Sequence, residues 1–372
     1  MIYLDNAATT LIKPYGVIKA CNMWLDKYSA NPGRGGHKLS INASNKAFEC
    51  RELIANLFNS ENPGNIIFTL NTTMALNIAI NGFLKKGMHV VISGMEHNSV
   101  YRPIANSGCE YTIAPPDKTG FVTLESVKNS VKENTALIAI THASNVVGTI
   151  NPIKEIGAFA RSKGITFLVD AAQTAGVLDI DVKRDNIDML AFAGHKSLLG
   201  PTGTGGLYIA PHTDLSPIIY GGTGSMSESS DQPDFLPDKF ESGTLNIVGI
   251  AGLTEGVKFI EKNTVASLNM HEKELTERLK NGLLNMDGIT LYGNDNRVGI
   301  IAFSSDNMDS ISFCNQLDKL DIATRGGMHC SPLAHKALGT TKGLVRVSVC
   351  CFNTSTHIDK AIDAIYEISK QK

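Results

Sequence analysis

Between residues 65 and 210 the chain alternates short, continuous apolar runs with stretches whose apolar residues recur at helical spacing. The runs are Ile66–Leu70, Val90–Ser93, Leu137–Thr141, Thr166–Val169, Met189–Phe192 and Gly206–Ile209, and each predicts a strand. Helices are predicted over Thr73–Leu84, Leu124–Val131 and Lys154–Ser162. Strands without polar alternation are buried on both faces, so the pattern predicts βαβ units around a mostly parallel sheet covered by helices. In such α/β sheets, ligands bind beyond the carboxyl ends of the strands. The polar residues that follow each run are therefore the ones that could carry chemistry.

The pattern breaks at 221–243, which is rich in Gly, Ser, Asp and Pro and predicts a long surface loop. A helical stretch from Ile247 to Leu284 follows as a hinge, and residues 285–372 predict a smaller α+β domain with helices over Met308–Leu317 and Thr356–Ser369. Two domains also suit the length, since 372 residues exceed what a single domain usually holds.

Composition narrows the class. Charged residues make up 19% and the formal net charge is −2, with no basic block of the kind that binds nucleic acid or anionic lipid. The longest apolar runs fall well short of the roughly 20 residues that span a membrane, and Met1–Asn6 does not open a signal peptide, so a cytoplasmic enzyme acting on a small molecule is expected. The seven cysteines are Cys21, Cys50, Cys109, Cys314, Cys330, Cys350 and Cys351. An odd number at irregular spacing, with no CxxC pair, predicts neither a disulfide framework nor a metal site, and most should be small buried apolar residues.

Four strand ends carry suggestive residues. Asn71-Thr72-Thr73 opens a helix, where N–H groups and hydroxyls can hold a phosphate, although threonine there can equally be a cap. Glu96-His97 follows the second run; a histidine there can stack on a ring or move protons, or be structural. Asp170 follows Phe167-Leu168-Val169, where a carboxylate needs a cation such as a pyridinium nitrogen, or serves as a helix cap. Lys196, in Ala193-Gly194-His195-Lys196-Ser197, lies between an apolar strand and a Gly-rich turn, and a buried amine there can have its pKa lowered enough to form a Schiff base. Each signal has a bland alternative; their order along the chain has few.

The chain resembles the cysteine desulfurase and selenocysteine lyase group of class V aminotransferases, pyridoxal 5'-phosphate (PLP) enzymes of fold type I. The resemblance is carried by Tyr3-Leu4-Asp5-Asn6-Ala7-Ala8-Thr9-Thr10, Asn31-Pro32-Gly33-Arg34-Gly35-Gly36-His37, Thr72-Thr73, Glu96-His97, Ser144-Asn145-Val146-Val147-Gly148 and Val169-Asp170-Ala171-Ala172-Gln173. It continues through Gly194-His195-Lys196, Phe240-Glu241-Ser242-Gly243-Thr244, Arg325-Gly326-Gly327-Met328-His329-Cys330 and Arg346-Val347-Ser348. It implies a large PLP-binding domain over 16–250 and a small C-terminal domain over 251–372, with residues 1–15 accompanying the small one.

The resemblance also implies roles. Lys196 would join the cofactor covalently and shuttle the Cα proton, Asp170 would pair with the pyridine nitrogen and Gln173 with the phenolic oxygen. His97 would stack on the ring and act as acid and base. Thr72, Thr73 and His195 would hold the phosphate, with Thr244 reaching over from the second subunit of a homodimer. Asn145 and Arg346 would grip the substrate carboxylate, and Arg325 and His37 would line the pocket. One departure stands at Ala193, where the group usually has a hydroxyl that donates to the phosphate. Its loss removes a hydrogen bond of about 1.5–3 kcal/mol unless another donor replaces it.

Cys330 would attack the substrate sulfur as a thiolate, leaving a persulfide and, after reprotonation, alanine. It sits near Arg325, His329 and His335, and no strand or amphipathic helix is evident around Gly326–Pro332. The five-residue step from Arg325 resembles the branch with a short, ordered cysteine loop, which depends on a separate sulfur-acceptor protein. L-Cysteine is the expected substrate. L-Selenocysteine, another amino acid in a transaminase or β-lyase reaction, and a non-enzymatic binding role are the alternatives.

Overall fold

The computed structural model describes residues 1–33 and 35–370. A short strand β1 (Ile2–Tyr3) precedes helices α1 (Tyr15–Met23) and α2 (Lys38–Leu57). Then come β2 (Ile66–Thr69), α3 (Thr72–Phe83), β3 (His89–Ser93), α4 (Asn98–Asn106), β4 (Glu110–Ala114), α5 (Leu124–Ser130), β5 (Thr135–Thr141) and α6 (Ile153–Lys163). Strands β6 (Thr166–Asp170), β7 (Met189–Ala193) and β8 (Gly205–Ile209) complete the large sheet before α7 (Ile247–Asn263) and α8 (Val265–Leu283). The remainder holds β9 (Ile289–Tyr292), β10 (Ile300–Ser305), α9 (Ser310–Lys319), β11 (Ile322–Ala323), β12 (Arg325–Gly327), α10 (Pro332–Ala337), β13 (Leu344–Ser348) and α11 (Ser355–Ser369).

The large sheet has seven strands in the order β2-β8-β7-β6-β5-β3-β4, and only β8 runs against its neighbours. This is the α/β fold with a mostly parallel, helix-covered sheet that the apolar runs predict. Side chains along a strand alternate between faces, and here both faces are packed. Phe167 and Val169 join one core, with Ile138, Ile140, Leu190 and Phe192, while Leu168 joins the other, with Leu137, Ala139, Met189 and Ala191. Continuous apolar runs are what a strand sandwiched between two helix layers requires.

Three elements of this part escape the pattern. Strand β4 is half-exposed at the sheet edge, with Glu110, Tyr111 and Thr112 in place of an apolar run. Helix α4 carries Pro103, and α2 is polar over much of its length. The predicted helix over Ile247–Leu284 is two, because Thr264 takes a left-handed φ of 61° and caps α8 by accepting from Ser267 N.

The second layer of structure is a four-stranded antiparallel sheet in the order β12-β13-β10-β9. Its core joins Ile301, Phe303, Val345 and Val347 to Leu275 and Leu279 of α8 and Ile358 and Ile365 of α11. The amino-terminal segment belongs to this core: Leu4 is fully buried in it, and Ile2 and Tyr3 pair in parallel with Ile322 and Ala323. Helix α7 instead packs on α1 and α2. Among the described residues no helix is long and apolar enough to cross a membrane.

Candidate active site

The carboxyl ends of β2, β3, β5, β6 and β7 share one edge of the large sheet, and the segments after them meet the β12–α10 segment of the small sheet. A cavity of about 190 Å³ lies between, lined by Thr72, Thr73, His97, Asn145, Asp170, Gln173, His195 and Lys196 from one side and by Arg325, Cys330 and Arg346 from the other. Thus the structure brings eleven sequence-predicted site residues together.

Lys196 is reached from β7 through Gly194, and glycine is required there. A Cβ on Gly194 would stand 2.2 Å from Thr204 Oγ1 and 2.8 Å from Thr204 Cβ. The peptide before Lys196 is clamped by the amino-terminal arm: Thr10 N, Thr9 Oγ1 and Lys13 Nζ all donate to His195 O, the last at 2.8 Å. Burial lowers the Lys196 amine to about 8, against the opposing charge of Asp170. An amine near 8 is free often enough to react as a nucleophile.

Asp170 ends β6, and its carboxylate accepts from Ala172 N at 2.9 Å. Burial pushes its pKa up, so the site favours a cation beside it. Gln173 donates to Ala7 O at 3.1 Å. At the start of α3 the cap is Asn71, whose side chain accepts from Met74 N at 2.9 Å, which leaves Thr72 and Thr73 to line the cavity.

His97 is itself the cap of α4: its Nδ1 accepts from Ser99 N at 3.0 Å. Burial, followed by the positive charges of Lys196, Arg325, Arg102 and Arg346, lowers its pKa to about 4, so the ring is neutral. His195 is likewise lowered to about 4, first by burial, and its Nδ1 lies 3.0 Å from Thr9 Oγ1.

The cysteine segment differs from its sequence reading. Arg325–Gly327 is a strand, β12, antiparallel to β13, and it continues from the sheet straight into the turn. Residues His329 and Cys330 both take left-handed φ values, 48° and 58°. Two such residues in a row cost energy unless their surroundings hold them. Here Asn98 N donates to Cys330 O at 2.9 Å, and Asn145 Nδ2 donates to His329 O at 2.7 Å. Ser331 Oγ donates to Asn145 Oδ1 at 2.7 Å. Cys330 is the exposed cysteine of the seven; Arg325 Nη2 lies 3.9 Å from its sulfur. The two histidines expected to lend it positive charge do not, because burial lowers His329 to about 3 and also lowers His335.

Two predicted grips are already engaged. Both side-chain polar atoms of Asn145 hold the cysteine segment, and Arg346 Nη1 donates to Asn145 O at 2.8 Å. Arg346 Nη2 meets Asp5 Oδ1 at 2.7 Å, while its buried Nε has no partner. Two predicted residues lie outside the cavity. His37 is exposed at the start of α2, where its Nδ1 accepts from Ser40 N at 3.3 Å. Thr244 lines a separate cavity with Phe68, Gly203 and Asn246. Arg34 of the same motif as His37 lies outside the described residues.

Sequence reasoning missed Ser99, Asn98, Asp5 and Lys13. Ser99 sat two residues beyond a noted histidine, and Asp5 within a quoted motif, so a signal was present for both. Lys13 gave none: its role depends on the path of an arm without regular structure.

The charge pattern fits a phosphorylated pyridine aldehyde. Hydroxyls at a helix start would face its phosphate, a buried carboxylate would face its ring nitrogen, and a lysine with a lowered pKa lines the same cavity. Relatives point the same way. The chain is 36% identical to a probable cysteine desulfurase of Methanothermobacter thermautotrophicus, over 99% of this chain and 94% of that one. It is 35% identical to a probable cysteine desulfurase of Borreliella burgdorferi, over 100% and 92% of the two chains. The structure superposes on the apo cysteine desulfurase of Thermococcus onnurineus with a TM-score of 0.92 and 32% identity, covering 99% of this chain and 94% of that one. The family model described as aminotransferase class-V matches residues 2–361, a span that takes in both sheets and every wall of the cavity: the protein belongs to the class-V aminotransferases.

Proposed function

We propose that the protein is a PLP-dependent cysteine desulfurase, which takes sulfur from L-cysteine onto Cys330 and releases L-alanine. The observation that carries this reading is that Lys196, on the large sheet, and Cys330, on the small one, line the same cavity. Either residue alone would fit many enzymes. A transaminase or β-lyase has no use for an exposed thiol held at the rim of its site.

Pyridoxal phosphate, when bound, supplies an electron sink for the substrate's Cα and Cβ. Thr72, Thr73 and His195 would hold its phosphate, Asp170 its ring nitrogen, Gln173 its phenolic oxygen, and His97 its ring face. Asp170, with its carboxylate buried, would favour a proton on that nitrogen. The Lys196 amine would remove the proton from Cα; burial lowers its pKa to about 8, so a larger share of it is free base near neutral pH than for an ordinary lysine. Arg346 binds the substrate carboxylate by its bidentate fork, exchanging its contact with Asp5 for the incoming carboxylate.

Cys330 then attacks the substrate sulfur as a thiolate. The new S–S bond forms as the Cβ–S bond breaks, and the electron pair of the broken bond passes to the substrate carbon frame, which is reprotonated to alanine. Arg325 Nη2 lies 3.9 Å from the Cys330 sulfur. A sulfur-acceptor protein must then remove the persulfide sulfur. The off-site positions of Thr244 and His37 support a homodimer, in which Thr244 would complete the neighbouring subunit's phosphate site.

Assaying Cys330→Ala on L-cysteine and L-selenocysteine tests this reading. The variant should keep the cofactor absorbance and lose alanine formation from cysteine. Undiminished alanine formation from cysteine would sink it, and a wild-type preference for selenocysteine would move the substrate to the selenium analogue.

A further inference from the structure

Three hydrogen-bonding atoms form a line through the cavity wall from the start of α3 to the start of α4. Thr73 Oγ1 lies 2.7 Å from Ser99 Oγ, and Ser99 Oγ lies 2.9 Å from His97 Nδ1. Both hydroxyls line the cavity, and Ser99 is buried. The Ser99 backbone N–H also points at His97 Nδ1, at 3.0 Å. A backbone N–H can only donate, so Nδ1 is an acceptor and the neutral ring carries its hydrogen on Nε2.

Each hydroxyl has a single hydrogen. When Ser99 donates to His97 Nδ1, Thr73 is free to donate to Ser99. Nδ1 then faces two donors, and a proton cannot enter on that edge. When Thr73 turns its hydrogen to an anion in the cavity, Thr73 Oγ1 becomes an acceptor and Ser99 donates to it. A lone pair of Ser99 Oγ then faces Nδ1, so one of the two donors that oppose a proton there is withdrawn and only the Ser99 backbone N–H still opposes it.

We propose that Ser99 is a positioning residue that couples an anion held at Thr73 to proton uptake by His97. It rests on the reading of Thr73 as a phosphate contact and of His97 as an acid and base. The coupling gives the site an order of events: filling the phosphate end raises the proton affinity of His97, which burial and the surrounding cations otherwise hold low. By linkage the reverse holds too, and a protonated His97 tightens the anion. The charged groups around His97 are Lys196 after β7, Arg325 on β12, Arg346 on β13 and Arg102 on α4. All are cations, none is altered by changing Ser99, and any direct attraction between the anion and the ring persists in a Ser99 variant.

That persistence makes the test discriminating. The full-length protein freed of cofactor is titrated by NMR of its histidine rings, with and without saturating inorganic phosphate. Phosphate should raise the pKa of His97 in the wild type by about one pH unit. Ser99→Ala should retain less than half of that rise, and Ser99→Thr should keep it. Should Ser99→Ala be unstable, Ser99→Cys, a weak hydrogen-bonding group, takes its place under the same criterion. A rise in the alanine variant equal to the wild type overturns the proposal, as does the absence of any rise in the wild type. Persulfide formation at Cys330 is decided separately, so the desulfurase reading survives or fails on its own experiment.

Discussion

The two walls of the cavity are built on different principles. The wall on the large sheet is made of Asp170, the last residue of β6, and of residues two to four positions past buried strands, and its geometry is fixed by close packing behind it. Asp170 ends a strand in which Phe167, Leu168 and Val169 are fully buried, and Gly194 leaves no space for a Cβ. The wall on the small sheet presents an exposed thiol on a turn with two left-handed residues. Its hold on the large sheet's wall is a few hydrogen bonds, from Asn98 N and the Asn145 amide. Under the proposed function, one wall would need precision around a cofactor. The other would need a thiol that is placed for attack and can still be offered to an acceptor. Packed strand ends suit the first task and breakable hydrogen bonds suit the second.

The comparison can be broken most severely at Lys196. Lys196→Ala should cost at least roughly 10³-fold in turnover and abolish the cofactor's aldimine absorbance, since under the proposed function the residue is both the covalent anchor and the base. Cys330→Ala should leave that absorbance untouched, so the paired spectra separate the walls.

Next in size is a pH effect on the large-sheet wall. Only the free amine reacts with an aldehyde, and burial lowers Lys196 to about 8. In the cofactor-free protein, capture of a pyridoxal-type aldehyde should rise about tenfold per pH unit up to about 8 and level off above it. Continued growth to pH 10 would show an unperturbed lysine.

Asn145→Ala probes the join between the walls. It removes two buried hydrogen bonds to residues 329–331, which are together worth about 1–3 kcal/mol. Alkylation of Cys330 by a neutral reagent and amide exchange at 328–331 should both quicken, with little change at Lys196. A last probe is Ala193→Ser, which places a hydroxyl at the end of β7. An added hydrogen bond to a charged phosphate, worth about 1.5–3 kcal/mol, should tighten the cofactor by about tenfold or more, read by its dissociation rate.

The same contrast explains what the sequence could disclose. Strands buried on both faces announce themselves as apolar runs, so the sheet, its direction and the residues past Thr69, Ser93, Asp170 and Ala193 could be read in advance. The edge strand β4 could not, because half-exposed Glu110 and Thr112 leave no apolar run. Strand β12 could not either: Arg325-Gly326-Gly327 has no strand propensity, and its pairing is set by β13. In the proposed homodimer, placement of His37 and Thr244 would depend on which subunit's cavity each residue faces. No local pattern records that. The neutral state of His329 and His335 is likewise a consequence of burial, so proximity in sequence to Cys330 overstated the positive charge around it.

The most direct test of the account is a single turnover of the PLP-loaded enzyme with limiting L-cysteine, followed by mass spectrometry of every cysteine-containing peptide. One added sulfur on Cys330 for each alanine released, with none on Cys21, Cys50, Cys109, Cys314, Cys350 or Cys351, is the predicted result. Alanine released with Cys330 unmodified, or sulfur carried on another cysteine, would contradict it.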